Sequence, residues 1–200
     1  MRAPLLMLAL AACGGNISDE DAAELAYVGL DDAVERAMNL GFDGFNAADS
    51  ANIDDQVDDG EISGTMTVGG QVDQGASDNK GMRLTVVLVD YADVVLIDER
   101  DPDDEEDDRE LEVTYDSLDP APELDLSLRD IPDGTLTGSF VGSFELTGDL
   151  EGDVALDLEI SANIEEIPDQ AGKTRRVAGS TRVTGTAESA WGTFDVDVTR

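Results

Sequence analysis

The sequence predicts a mainly β protein: a single curved antiparallel sheet or open barrel of about 8–9 strands, with one N-terminal helix packed on its apolar face. Three observations carry this. From Thr135 to Glu165 every even-numbered residue is apolar or Gly, and every odd-numbered one is polar except Val141 and Ala155. A period of two over that length makes a pair of strands with one buried face and one wet face. Shorter alternating stretches recur on both sides at hairpin spacing, and helical spacing appears once, near the N-terminus.

The chain opens on an address rather than on structure. Met1 and Arg2 supply a positive start, Ala3 to Leu10 an apolar run too short to span a bilayer, and Leu10-Ala11-Ala12-Cys13 a small-residue site ending in the only cysteine. Here the chain resembles the bacterial lipoproteins, whose signal closes on Leu, two small residues and an invariant Cys. The resemblance implies removal of residues 1–12 as a signal peptide and lipid attachment at Cys13. Residues 13–17 then form a lipidated tether, and 18–200 a single domain. Gly14 stands where Asp would mark inner-membrane retention in enteric members of that class, which implies the outer membrane of a bacterial cell envelope. With Cys13 modified, no thiol remains for a disulfide, metal or nucleophile.

After the tether, Ser18 reads as an N-cap, with Asp19, Glu20 and Asp21 favourable to the helix dipole. Ala22, Leu25, Ala26, Leu30, Ala33, Val34, Ala37 and Leu40 recur at helical spacing, opposite Glu20, Glu24, Asp31 and Glu35. A helix over about 19–40 follows, with Gly29 a possible break and Gly41 a stop. Residues 43–60, rich in Asp, Asn, Ala and Gly, read as a loop. Strands are expected over 62–72 and 82–91, with 94–97 an extension or a third, then around Leu111 to Tyr115 and Leu124 to Leu128, with Pro120 and Pro122 between the last two. Beyond the long hairpin, Val177 to Ala187 and Gly192 to Val198 complete the sheet. The last two switch apolar parity, so their loop needs an even number of residues.

Opposed residues of the long hairpin must share a face, so its loop needs odd length. Leu150-Glu151-Gly152 meets that need with Gly in the left-handed position. In this register Phe140 faces Ala162, Gly142 faces Ile160, Gly138 faces Ile164 and Phe144 faces Leu158, mostly large against small. Glycines on the apolar face at Gly64, Gly138, Gly142, Gly179 and Gly185 suggest bends in a coiled sheet.

Composition bounds the function. At 200 residues one domain can bury roughly 70% of its unfolded surface. Twelve basic residues against 47 acidic give a net charge of −35, a surface that repels nucleic acid and offers no cationic patch to anionic lipid. Only Lys80 and Lys173 are lysines, a balance that also fits a salty habitat or a compositional bias. Disorder is disfavoured, because 40% of residues are hydrophobic and they alternate strictly.

The run from Asp98 to Glu112 carries 11 acidic residues against Arg100 and Arg109. Such carboxylates can bind divalent cations, but no register has the Gly an EF-hand needs at its sixth position. At Asp55 to Met66 Gly60 fits, while Val57 and Met66 fall on ligand positions. A solvated acidic loop that guards against edge-to-edge association is the plainer reading. With no histidine and no free thiol, a Ser-His-Asp triad, a His-ligated zinc and a Cys nucleophile are all ruled out. The glycines form neither a Walker loop nor a dinucleotide fingerprint. Trp191 reads as a plug near the last turn. Aromatics at 4% form no girdles, against a transmembrane barrel. The expectation is a non-enzymatic structural or interaction module anchored in the membrane by its lipid, without a cofactor, its acidic face bridged by divalent cations to anionic envelope components. The alternative is a carrier for a lipid or other apolar ligand in an open β-barrel.

Overall fold

The computed structural model describes residues 17–99 and 108–200. Cys13, the expected signal peptide over residues 1–12 and the centre of the acidic run lie outside the described residues. Helix α1 (Asp19–Ala47) starts where expected, the Ser18 hydroxyl accepting from the Asp21 amide at 3.1 Å. It neither breaks at Gly29 nor stops at Gly41. Both glycines are buried on the face that meets the sheet, and they leave room for large partners instead of ending the helix. A Cβ at position 29 would lie 2.2 Å from the Tyr115 hydroxyl, and one at position 41 would lie 2.6 Å from Leu84 Cδ1.

Gly29→Ala tests that reading. Helix propensity alone would favour Ala by about 1 kcal/mol, yet the methyl group collides with a buried ring. A net loss of about 2 kcal/mol in urea denaturation is expected, and Tyr115→Phe in the same chain should recover part of it. A stabilised Gly29→Ala would mean that the helix is not seated this closely.

The strands are β1 (Asn52–Asp59), β2 (Ser63–Val72), β3 (Lys80–Ala92), β4 (Leu96–Asp98), β5 (Arg109–Leu111), β6 (Val113–Ser117), β7 (Glu123–Arg129), β8 (Gly134–Gly148), β9 (Gly152–Glu166), β10 (Thr174–Arg176), β11 (Arg182–Ser189) and β12 (Gly192–Thr199). Ten form one antiparallel sheet, while β4 and β5 make a separate ladder. The expected loop over 43–60 is replaced by the end of α1 and by β1. That strand escapes a periodicity argument because only Ile53 in it is buried. It is an edge, and its acidic residues face water.

The sheet runs β1-β2-β3, then β6 and β7 together, then β8-β9-β11-β12, with β10 added beside β9. β6 and β7 share one place between β3 and β8, interrupted where the prolines stand. Hydrogen bonding continues across the gap: Val86 N–H donates to Pro122 O and Leu118 N–H to Ser143 O, both at 2.9 Å. Gly142 faces the gap, where a Cβ would be 2.4 Å from the Pro122 ring.

The long hairpin keeps its expected faces but not its expected pairing. Phe140 opposes Leu158, Gly142 opposes Leu156, Gly138 opposes Ile160 and Phe144 opposes Val154, with Leu146 opposite Gly152. The loop is therefore centred on Asp149, two residues earlier than predicted. Its neighbour decides the matter: Asp149 N–H donates to Glu112 O, and Asp149 Oδ2 accepts from Glu112 N–H. Gly148 turns the chain with φ at +113°, and Leu150, just past the centre of the loop, is buried. The C-terminal hairpin has its even loop, Ser189 pairing with Gly192 across Ala190 and Trp191. β11 begins at Arg182 rather than near Val177, because Val177 to Thr181 form a turn containing Gly179.

The sheet does not close into a barrel; β1 and β12 are its two edges. α1 touches both of them, and β2, β3 and β11 as well. It lies in the open side with Ala26, Leu30, Ala33, Val34, Ala37 and Met38 at most 3% exposed. Apolar residues of the helix and of the sheet's concave face form one contiguous core. The stripe of alanines allows this close seat.

Candidate functional site

The ion pairs that hold the helix in place gather on its two flanks, while from the middle of the sheet the buried Tyr115 hydroxyl donates to the Ala26 carbonyl at 3.4 Å. On the β1 side Arg36 reaches from α1 to Asp58 at 2.6 Å, to Glu61 at 2.9 Å and to Asp93 at 3.4 Å. Asp93, just past the end of β3, has a side chain 1% exposed. It also accepts from the Glu61 amide at 3.0 Å and, in a short bond, from the Tyr91 hydroxyl. Burial, then Asp93, drive the Tyr91 hydroxyl well above its ordinary pKa. The hydrogen bond with Glu61 leads the causes that raise the Arg36 guanidinium.

On the β12 side Arg200 pairs with Asp31 and Asp32, and Arg176 with Glu35 at 3.3 Å and Asn39 at 2.8 Å. The Asn46 side chain exchanges two hydrogen bonds with the Thr174 backbone, taking the place of a strand at the end of β10. Arg176 Nε is buried without a partner among the described residues. Tyr27, whose hydroxyl donates to Asp31 at 2.7 Å, stacks on Phe194 with ring centroids 5.6 Å apart and is pushed up to about 12, mainly by burial.

Asp32 stands among these pairs with its carboxyl held above the usual carboxylate range. Burial is the leading cause, followed by the charges of Asp93 and Glu35, against the opposing pull of Arg36. An acid whose folded pKa is raised loses its proton first in the unfolded chain, so stability falls as pH rises through the carboxylate range. Asp32→Asn should therefore gain about 0.5 kcal/mol over the parent at pH 7. The gap should close only below the ordinary Asp value, by about pH 3, as read from urea midpoints at pH 7 and pH 3. A constant gap would mean that Asp32 does not carry the difference.

The acidic run is only partly described. Its ends form the β4–β5 ladder, with Leu96 opposite Leu111, Ile97 opposite Glu110 and Asp98 opposite Arg109. Asp98 is buried, and residues 100–107 lie outside the described residues. The other acidic stretch, Asp55 to Met66, is a paired hairpin of β1 and β2 rather than a loop. Among the described residues no group of three or more carboxylates is arranged to hold a metal ion. Trp191, partly buried at the last turn, covers Gly152.

No family model, curated protein or solved structure matches the chain. Among the described residues no helix is long and apolar enough to cross a membrane. The site must therefore be read from its own geometry. Among the described residues a surface groove of about 560 Å³ runs between α1 and β4. Sequence reasoning missed the arginine clamps, since nothing in the spacing of Arg36, Arg176 and Arg200 tells which carboxylates they meet. Their one visible signal was scarcity: in so acidic a chain, each arginine near a helical acidic stripe is a candidate clamp.

Proposed function

We propose that this protein is an acidic, envelope-anchored lipoprotein that acts as a non-enzymatic structural or interaction module. The observation that supports the reading is the seat of α1. Its apolar stripe fills the concave face where a carrier would hold an acyl chain, so the surface left for work is the outside. That outside is dominated by carboxylates, which disfavours nucleic acid and favours basic proteins or divalent cations bridging to anionic envelope components. The Cys13 anchor places this surface within a short tether of the membrane, since the four residues Gly14 to Ile17 reach roughly 14 Å.

Two measurements test it. Parent and Cys13→Ser chains expressed in a bacterial host are compared by fractionation and by mass spectrometry of the N-terminus. A diacylated Cys13 in the membrane fraction, lost in the variant, is the expected result. An unmodified Cys13 would remove the anchor. Native mass spectrometry of protein from the membrane fraction, with and without Ca²⁺, addresses the carrier alternative, and a lipid-sized adduct inside the folded chain would favour it.

A further inference from the structure

Of the eight large aliphatic residues that stand exposed among the described residues, three come together in the groove between α1 and β4: Val28 at 39%, Val95 at 45% and Ile97 at 39%. Single exposed aliphatics are ordinary, but a gathered set inside a groove marks a surface that is covered in use. Leu25 and Leu96 complete an apolar floor. The groove follows the length of the chain from Val94 to Glu99, touching residues of both alternating sets. Its wall is thus the rim of an extended segment rather than one face. At Leu96 and Ile97 that segment pairs with β5 on one side and with no strand on the other among the described residues.

Around this floor stand Asp21, Glu24, Asp31, Asp32 and Glu99. The one basic residue in the lining, Arg200, is already ion-paired with Asp31 and Asp32. An apolar floor beneath an acidic rim suits an amphipathic cation, and an extended wall with an open side suits an extended one. Added strands gain affinity from main-chain hydrogen bonds and specificity from alternate side chains. One set would rest on Leu25 and Val28 while the other meets the carboxylates. β4 itself, Leu96–Asp98, spans roughly 10 Å at the rise of a strand, enough for about three paired partner residues. The overall charge would steer such a segment toward the protein and keep acidic chains away.

We propose that the groove between α1 and β4 docks an extended basic segment of a partner protein, with aliphatic and Lys or Arg residues alternating, laid along β4 as an added strand. This rests on the reading of the protein as an interaction module and names the class of partner. An acidic or lipid surface does not fit the rim, and a helix would not use the open side of the ladder.

The test uses purified full-length protein at low salt and two fluorescent heptapeptides of one composition, Lys-Val-Lys-Val-Lys-Val-Lys and Lys-Lys-Lys-Lys-Val-Val-Val. The alternating peptide is expected to bind at least tenfold more tightly by anisotropy, with amide shifts confined to residues 94–99 and the first half of α1. Glu24→Lys with Glu99→Lys should weaken it about tenfold, and Val28→Ser about threefold, with melting curves unchanged. Equal binding of the two peptides, shifts spread over the convex carboxylates, or no binding at all would each overturn the proposal. None of these results bears on whether Cys13 is acylated, so the two readings fail separately.

Discussion

Replacing Arg36 by alanine is expected to cost about 3–5 kcal/mol, enough to leave a domain of ordinary stability barely folded. The reason is what remains behind. Asp93 keeps the Tyr91 hydroxyl and the Glu61 amide, but its side chain, 1% exposed, loses its cation partner among the described residues and still faces Asp58 and Glu61 nearby. A buried carboxylate left without its cation is costly to keep in place, and its relief by moving toward water loosens α1 from β1. Asp93→Asn in the same chain should recover much of the loss, because the amide keeps a hydrogen bond with Glu61 N–H without a charge to compensate. Urea unfolding of the two single variants and the double variant gives a coupling energy expected near 2 kcal/mol. A cost below about 1 kcal/mol for Arg36→Ala would reduce the clamp to an ordinary surface ion pair.

Stability should also rise steeply with salt. The chain carries −35 charges, and its convex face sets like charges directly across from one another: Asp116 opposes Glu145, which opposes Asp153 across the next pair of strands. Like charges so placed repel, and nothing on that row is basic. At 10 Å two charges in water cost about 0.4 kcal/mol, and on the order of ten such pairs would cost about 4 kcal/mol at low ionic strength. The screening length falls from about 30 Å at 0.01 M to about 3 Å at 1 M. Most of that repulsion is then screened, while the Asp93–Arg36 contact, being buried, is screened much less. Calorimetry from 0.01 to 1 M NaCl should show a rise in melting temperature of more than about 10 °C. Glu145→Thr should flatten part of that rise, adding about 0.5 kcal/mol at low salt only. A melting temperature that does not move with salt would mean that the carboxylates are neutralised by something bound.

The alternation from Leu136 to Ile164 was legible because one face is dry and the other wet along the whole hairpin, and burial follows it residue by residue. Pairing was less legible. Parity fixes the face, but the choice among loops of odd length was made by Glu112, more than thirty residues away in the chain, holding Asp149. The N-terminus of α1 was readable from Ser18 and the acidic first turn. Its C-terminus was not, because Gly41 looks the same whether it ends a helix or makes room for Leu84. β1 left no apolar period to read, and β4, β5 and β10 are too short to have one. As for the working surface, the sequence pointed to the acidic run from Asp98. Only coordinates bring Val95 and Ile97 of the neighbouring strand beside Val28 and Glu24, about seventy residues earlier.

The position of α1 also sets the order in which the protein can become a protein. The helix precedes in the chain the strands that finish its seat, β11 and β12, and Arg200, which holds Asp31. Until those strands are in place, the helix has one wall and its alanine-lined stripe faces solvent, where 29 residues gain little from propensity alone. Contacts spanning nearly the whole chain are slow to form, because loop closure is unfavourable before any of them contributes.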